Sequence, residues 1–231
     1  MIIRTQGEQR LFITQPDHAH LSRQVMEHCV GLRTHPRRES ILLAIGEHDN
    51  GWREADEAPH IDPDSGEPLD FVNAPPEVRQ DVWPRGVARL AADPWAAALV
   101  ANHSVIVYER FRAQSVWTEF FPRMEAMRDE RVRNAGGRIE DLLADYRFVR
   151  LGDLISLMFC TGWTDDQRFD EWAVSRDGDV VRVTPDPFGG GSLELNIRAR
   201  RLPARTYRDS TELREALAAA DVVELRARLL P

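Results

Sequence analysis

His48 and Asp49 stand side by side in LAIGEHDNGW, and three more side chains able to ligate a metal, His18, His103 and Asp153, are spread over the rest of the chain. A neighbouring imidazole and carboxylate at the end of an apolar helix suit a divalent cation, because both are hard-to-borderline ligands that bind best in dry, fixed surroundings. If the three distant groups converge on the pair, the chemistry is that of a metallohydrolase. Convergence depends on the helices that carry them.

Helices are predicted at roughly 17–30, 38–49, 93–111, 114–134 and 138–160, with Asp93-Pro94 as a strong start, an N-cap side chain followed by proline at the first helical position. At about 100° per residue, His18 shares a stripe with Leu21, Val25 and Cys29, while His20 points to the other side. The same count sets His48 beside Ile41, Ala44 and Ile45, His103 beside Ala96, Leu99 and Val107, and Asp153 beside Leu142, Tyr146, Val149, Leu157 and Cys160. Four helices thus each aim an ionisable side chain inward. A lone inward histidine is usually a hydrogen-bonded core residue. A buried carboxylate is harder to explain that way, so Asp153 needs a metal, capping donors or an arginine, and Arg110 on the His103 stripe is the rival partner.

The flanks read as strands. Residues 1–14 predict a hairpin turning near Gly7, and 169–184 a second one turning at Asp177-Gly178. Leu193, Leu195, Ile197 and Ala199 alternate with polar residues as in a half-buried strand, a short helix follows Asp209 with Glu212 placed for a capping box, and a last strand runs near 222–229. Residues 51–86, rich in Pro, Asp, Glu and Gly, predict a long irregular loop. The expectation is an α+β protein of one domain over 1–231, mainly an α-helical bundle (about 15–165) with an accessory antiparallel sheet from the terminal segments.

Composition removes several function classes. All 30 basic residues are arginine, which excludes Schiff-base lysine chemistry and a Walker lysine. A net charge of -8 argues against wrapping an extended nucleic acid. Cys29 and Cys160 are too few for a disulfide framework or a CxxC site. No apolar run approaches the roughly 20 residues of a membrane span, and MIIRTQGEQR lacks the layout of a signal peptide, so a cytoplasmic protein without membrane contact is expected. Gly189-Gly190-Gly191-Ser192 has no following lysine or helix and reads as a turn, and the Asn102-His103-Ser104 sequon lies inside a helix.

The order His18, His48-Asp49, His103, Asp153 on successive helices resembles the HD-domain superfamily of metal-dependent phosphohydrolases. More closely, QPDHAHLS, LAIGEHDNGW, PWAAALVANHS, LGDLISLMFC and the DPF segment at Asp186 to Phe188 are similar to a bacterial family of unknown function placed within it, over roughly residues 10–190. The resemblance implies that the bundle is of the HD type. It also implies that His18, His48, Asp49 and Asp153 bind one divalent ion and that His103 helps hold a second, the ions being Mn, Fe, Ni, Co or Zn. Asp49 and His103 are then the catalytic candidates, Arg53 and Arg110 the candidates for balancing phosphate charge, and Trp52, like Trp83, either walls a substrate pocket or pins the long loop. The implied substrate is a small phosphate ester or nucleotide, and the protein a possible homodimer. Two alternatives stay open: a diiron oxygenase of the same superfamily, or a non-catalytic binding module with loop 51–86 as a partner surface. His20 has no counterpart in the superfamily pattern, and no motif here identifies a particular nucleotide.

Overall fold

The computed structural model describes residues 1–231. A hairpin, β1 (Ile2–Gln6) and β2 (Gln9–Ile13), leads into α1 (Gln15–Met26), which is followed by α2 (Arg38–Glu47), the short α3 (Arg53–Glu57), α4 (Pro76–Arg89), α5 (Pro94–Tyr108), α6 (Phe120–Asn134) and α7 (Ile139–Thr161). The chain then returns through β3 (Gln167–Phe169), β4 (Trp172–Asp177), β5 (Val180–Thr184) and β6 (Leu193–Pro203), crosses α8 (Ser210–Ala219) and ends in β7 (Asp221–Leu230). Local chemistry sets the starts. Thr14 accepts from the Asp17 N–H, Asp93 from the Ala96 N–H and Asp209 from the Glu212 N–H, and prolines sit in the first turns of α1, α4 and α5. α7 stops at Gly162, whose φ of 75° is the left-handed conformation that glycine adopts most cheaply.

The sheet is not an accessory, and the expected helical bundle with a small antiparallel addition is corrected on this point. All seven strands form one sheet in the order β1-β2-β6-β7-β5-β4-β3, with β6 and β7 paired over nine registered positions at its centre. It is mixed rather than antiparallel, because β5 and β7 run parallel. Its inner face belongs to the main core: Leu195, Ile197, Ala199, Val181, Val183 and Leu229 join a single cluster of 52 buried residues with the helices. On the other face α8 covers a second, small core made by Phe12, Leu202, Tyr207, Leu213 and Leu217.

The loop expected over 51–86 is also corrected. α3 and α4 lie within it, and α4 buries Val82, Trp83 and Val87. Pro84 inside α4 cannot donate a backbone hydrogen bond and interrupts the sequence pattern, but the burial of its neighbours holds the helix. α5 is the most enclosed element, every residue over 95–105 being buried. No helix is long and apolar enough to cross a membrane.

Candidate metal centre

Four helices meet at the five predicted residues. His18 projects from α1, His103 from α5 and Asp153 from α7, while His48 caps the C-terminus of α2 and Asp49 opens the 3₁₀ turn Asn50–Trp52. Small residues allow the approach. A Cβ on Gly152, one position before Asp153, would stand 2.8 Å from Met26 and 3.2 Å from Ile45, so glycine lets α7 press against α1 and α2.

The side chains converge tightly. His18 Nε2 lies 3.1 Å from His48 Nε2, 3.6 Å from Asp49 Oδ2 and 3.3 Å from Asp153 Oδ1. His48 Nε2 lies 3.4 Å from Asp49 Oδ2 and 3.5 Å from Asp153 Oδ1, and His103 Nε2 lies 3.8 Å from Asp153 Oδ2. The donor atoms form two overlapping groups, His18/His48/Asp49 and His48/His103/Asp153, each within 4.8 Å. Ligands about 2.0–2.2 Å from one ion stand roughly 3–4 Å from each other, so the spacing is that of a coordination shell.

Outer hydrogen bonds orient each imidazole. His48 Nδ1 is 2.7 Å from the Ile45 carbonyl, which only accepts, so Nδ1 carries the hydrogen. His18 Nδ1 meets Ser156 Oγ; Ser156 in turn is 2.7 Å from Ser22 Oγ, and Ser22 donates to the His18 carbonyl at 3.1 Å. The chain closes if His18 Nδ1–H donates to Ser156, Ser156 to Ser22 and Ser22 to the carbonyl, every hydroxyl donating once. His103 Nδ1 is 3.0 Å from Tyr146 Oη, a group able to accept its hydrogen. With all three Nδ1 atoms occupied outward, three Nε2 atoms face two carboxylates.

Asp153 carries a further partner. Its Oδ2 is ion-paired with Arg150, one helical turn earlier on α7. Burial works against ionisation of Asp153, but Arg150 and the imidazoles outweigh it and hold the carboxyl well below the usual range. Asp49 is lowered too, burial again being overcome, chiefly by His48. For His48, burial opposes the charge, yet Asp49 and Asp153 together push the imidazolium up to about 10. Burial dominates at His103 and pushes it down to about 3.

These opposite shifts set a pH dependence for the metal-free fold. The stabilisation from the His48 proton is complete below the ordinary value of 6.5 and is lost as pH rises through about 10. That from neutral His103 is complete above 6.5 and is lost as pH falls toward about 3. Chelated protein is therefore expected to resist urea best at about pH 6–7, with H48N flattening the alkaline limb of the stability profile. An alkaline limb unchanged in H48N would contradict the assignment.

The remaining candidates lie elsewhere. His20 is exposed and 3.9 Å from Glu47, Arg110 stacks on the Phe111 ring at 4.7 Å, and Arg53 is exposed; none bonds to the five. Trp52 is a core residue at 3 % exposure, and Trp83, also buried, packs against His103 with ring centroids 5.6 Å apart. The rival partner for Asp153 is thus Arg150, not Arg110. Its three-residue spacing from Asp153 on one helix was the available signal for a residue that stripe analysis passed over.

One protein-family model, described as a protein of unknown function (DUF3891), matches residues 1–204. No curated protein and no solved structure matches the chain significantly. Since that match spans most of the 231 residues and includes all five residues of the centre, the chain belongs to the DUF3891 family of proteins of unknown function.

Proposed function

We propose that the chain is a metal-dependent phosphohydrolase for small phosphate esters, holding one divalent cation between His18, His48, Asp49, His103 and Asp153. The observation that carries this proposal is the set of three imidazoles whose Nδ1 atoms are tied outward, leaving Nε2 atoms 3.1–3.8 Å from one another or from the two carboxylates. Three nitrogen and two carboxylate donors suit Mn, Fe, Co, Ni or Zn better than Mg or Ca. The order of the ligands along the chain adds support through its resemblance to the HD-domain superfamily.

His48 is the reason for proposing a single ion. A neutral imidazole offers one lone pair, so the two overlapping groups that share His48 cannot be separate sites each using it. This favours a mononuclear centre over the diiron oxygenase alternative.

A divalent cation in this place would polarise a phosphoryl oxygen and bring a water toward ionisation near neutral pH. Asp49 is the most accessible of the five at 6 % and is held ionised, so it can accept a hydrogen bond from the attacking water and orient it. Arg150, partly exposed beside Asp153, presents a guanidinium suited to phosphoryl oxygens. His103, kept neutral by burial, serves as a ligand rather than a proton donor.

A non-catalytic metal centre is the rival, and a specific observation favours it: exposures at the five run only from 0 % to 6 %, and none of them lines either of the two main cavities. Turnover separates the two. Chelated protein reloaded with Mn, Fe, Co, Ni or Zn is expected to release phosphate from p-nitrophenyl phosphate or a nucleotide panel, rising with metal up to about one equivalent. One bound equivalent with no turnover would establish the rival, and iron-dependent oxygen consumption the oxygenase.

A further inference from the structure

A cavity of about 550 Å³ opens on the α8 side of the sheet, within the roughly 300–1,000 Å³ typical of small-molecule sites. Four arginines from three elements line it: Arg53 of α3, Arg198 and Arg200 of β6, and Arg214 of α8. Arg198 and Arg200 lie two positions apart on one strand and so share a face. All four belong to the minority of this chain's arginines that have no carboxylate partner. Sixteen of its 30 arginines are ion-paired to a carboxylate, yet none of these four is, although three carboxylates line the same cavity.

Those carboxylates are mostly engaged elsewhere. Asp17 bonds to Thr14, and Asp56 accepts from the Gln15 N–H at 2.5 Å and pairs with the Met1 amino group, leaving only Glu57 without a partner. The side chains of Arg53 and Arg198 make no hydrogen bond within the chain, while Arg200 donates to the Leu217 carbonyl at 3.0 Å and Arg214 to Thr211 at 3.1 Å. Beside this cationic wall the lining is apolar, with Phe12, Leu217, Ala218 and Val222. Guanidinium forks match a phosphate, and an apolar floor matches an organic body attached to it.

We propose that this cavity binds a small organic phosphate, its anionic group against Arg53 and Arg198 and its apolar body over Phe12 and Leu217, at a site separate from the metal centre. The two sites share backbone, Asp17 preceding His18 and Arg53 following Asp49 by four residues, but no residue of the centre lines the cavity. Binding there needs no metal, which lets it be tested apart from the proposed hydrolysis.

The test is calorimetric titration of chelated protein with phenyl phosphate, benzoate and phenol. Phenyl phosphate is expected to bind saturably with Kd of about 1 mM or tighter, benzoate about tenfold more weakly, and phenol not at all. The double variant R53Q/R198Q, at two exposed positions, and A218W, which fills the cavity from the exposed face of α8, are each expected to weaken phenyl phosphate about tenfold or more, and D49A to leave it unchanged. No saturable binding by wild type, binding retained in both R53Q/R198Q and A218W, or binding lost in D49A would each overturn the proposal, the last by placing the anion at the centre.

Discussion

Replacing His48 with alanine is expected to reduce bound metal from about one ion per chain to less than a tenth and to lower metal-dependent phosphate release about 10³-fold, the equivalent of roughly 4 kcal/mol of transition-state stabilisation. No other side chain is common to both groups of donor atoms, and its Nε2 lies within 3.5 Å of His18, Asp49 and Asp153. Without it Asp49 loses the imidazole that does most to hold its charge, and a buried carboxylate left unpaired is costly. His20→Ala is the matched control: same residue type, two positions from His18, but exposed and outside the centre. Metal content by plasma mass spectrometry and phosphate release by both variants check the pair. Equal losses in H20A and H48A would mean that the centre is misassigned.

Gly51→Ala is expected to destabilise the fold by about 3 kcal/mol or more and to weaken metal binding with it. An added Cβ would lie 1.9 Å from the Val82 carbonyl oxygen, 2.8 Å from its carbon and 3.1 Å from the Gly86 nitrogen. All three are backbone atoms of α4, so no side chain can swing aside. The turn Asn50–Trp52 must then move off α4, and Asp49, immediately before it, moves as well. Gly191→Ala, with nothing within 4 Å of its Cβ, is expected to leave stability within about 0.5 kcal/mol of wild type. Urea midpoints and metal titrations check both variants. A G51A protein as stable as wild type would show that the turn and α4 are less tightly docked than described.

What was legible in the sequence follows from how local each cause is. His18 and His48 could be placed by helical phase because α1 and α2 each have an apolar stripe, and His20 fell on the exposed side for the same reason, whereas α7 is buried all round over 151–160, so phase alone did not single out Asp153. His103 had weaker support: α5 is buried on every side, so its phase does not distinguish one face from another, and tertiary packing decides where His103 points. Capping residues at Asp93 and Asp209 fixed their helix starts, since an N-cap acts within three residues.

The central place of the sheet was not legible. Pairing of β2 with β6 and of β5 with β7 joins segments that are remote or cross over α8, and no local pattern specifies such partners. α4 was hidden by Pro84 and by the loop-like composition before it, while the burial of Val82, Trp83 and Val87 that holds it is a property of the fold. Arg150 was passed over because stripe analysis ranks apolar neighbours, whereas its link to Asp153 is a charge pair across one helical turn.

The most direct test is an anomalous difference map from crystals of chelated protein reloaded with manganese or zinc. One peak is expected, within about 2.0–2.3 Å of Nε2 of His18, His48 and His103 and of a carboxylate oxygen each from Asp49 and Asp153. Crystals grown in excess metal that show no peak there, with His48 still closed on the carboxylates and Asp153 on Arg150, would contradict the account.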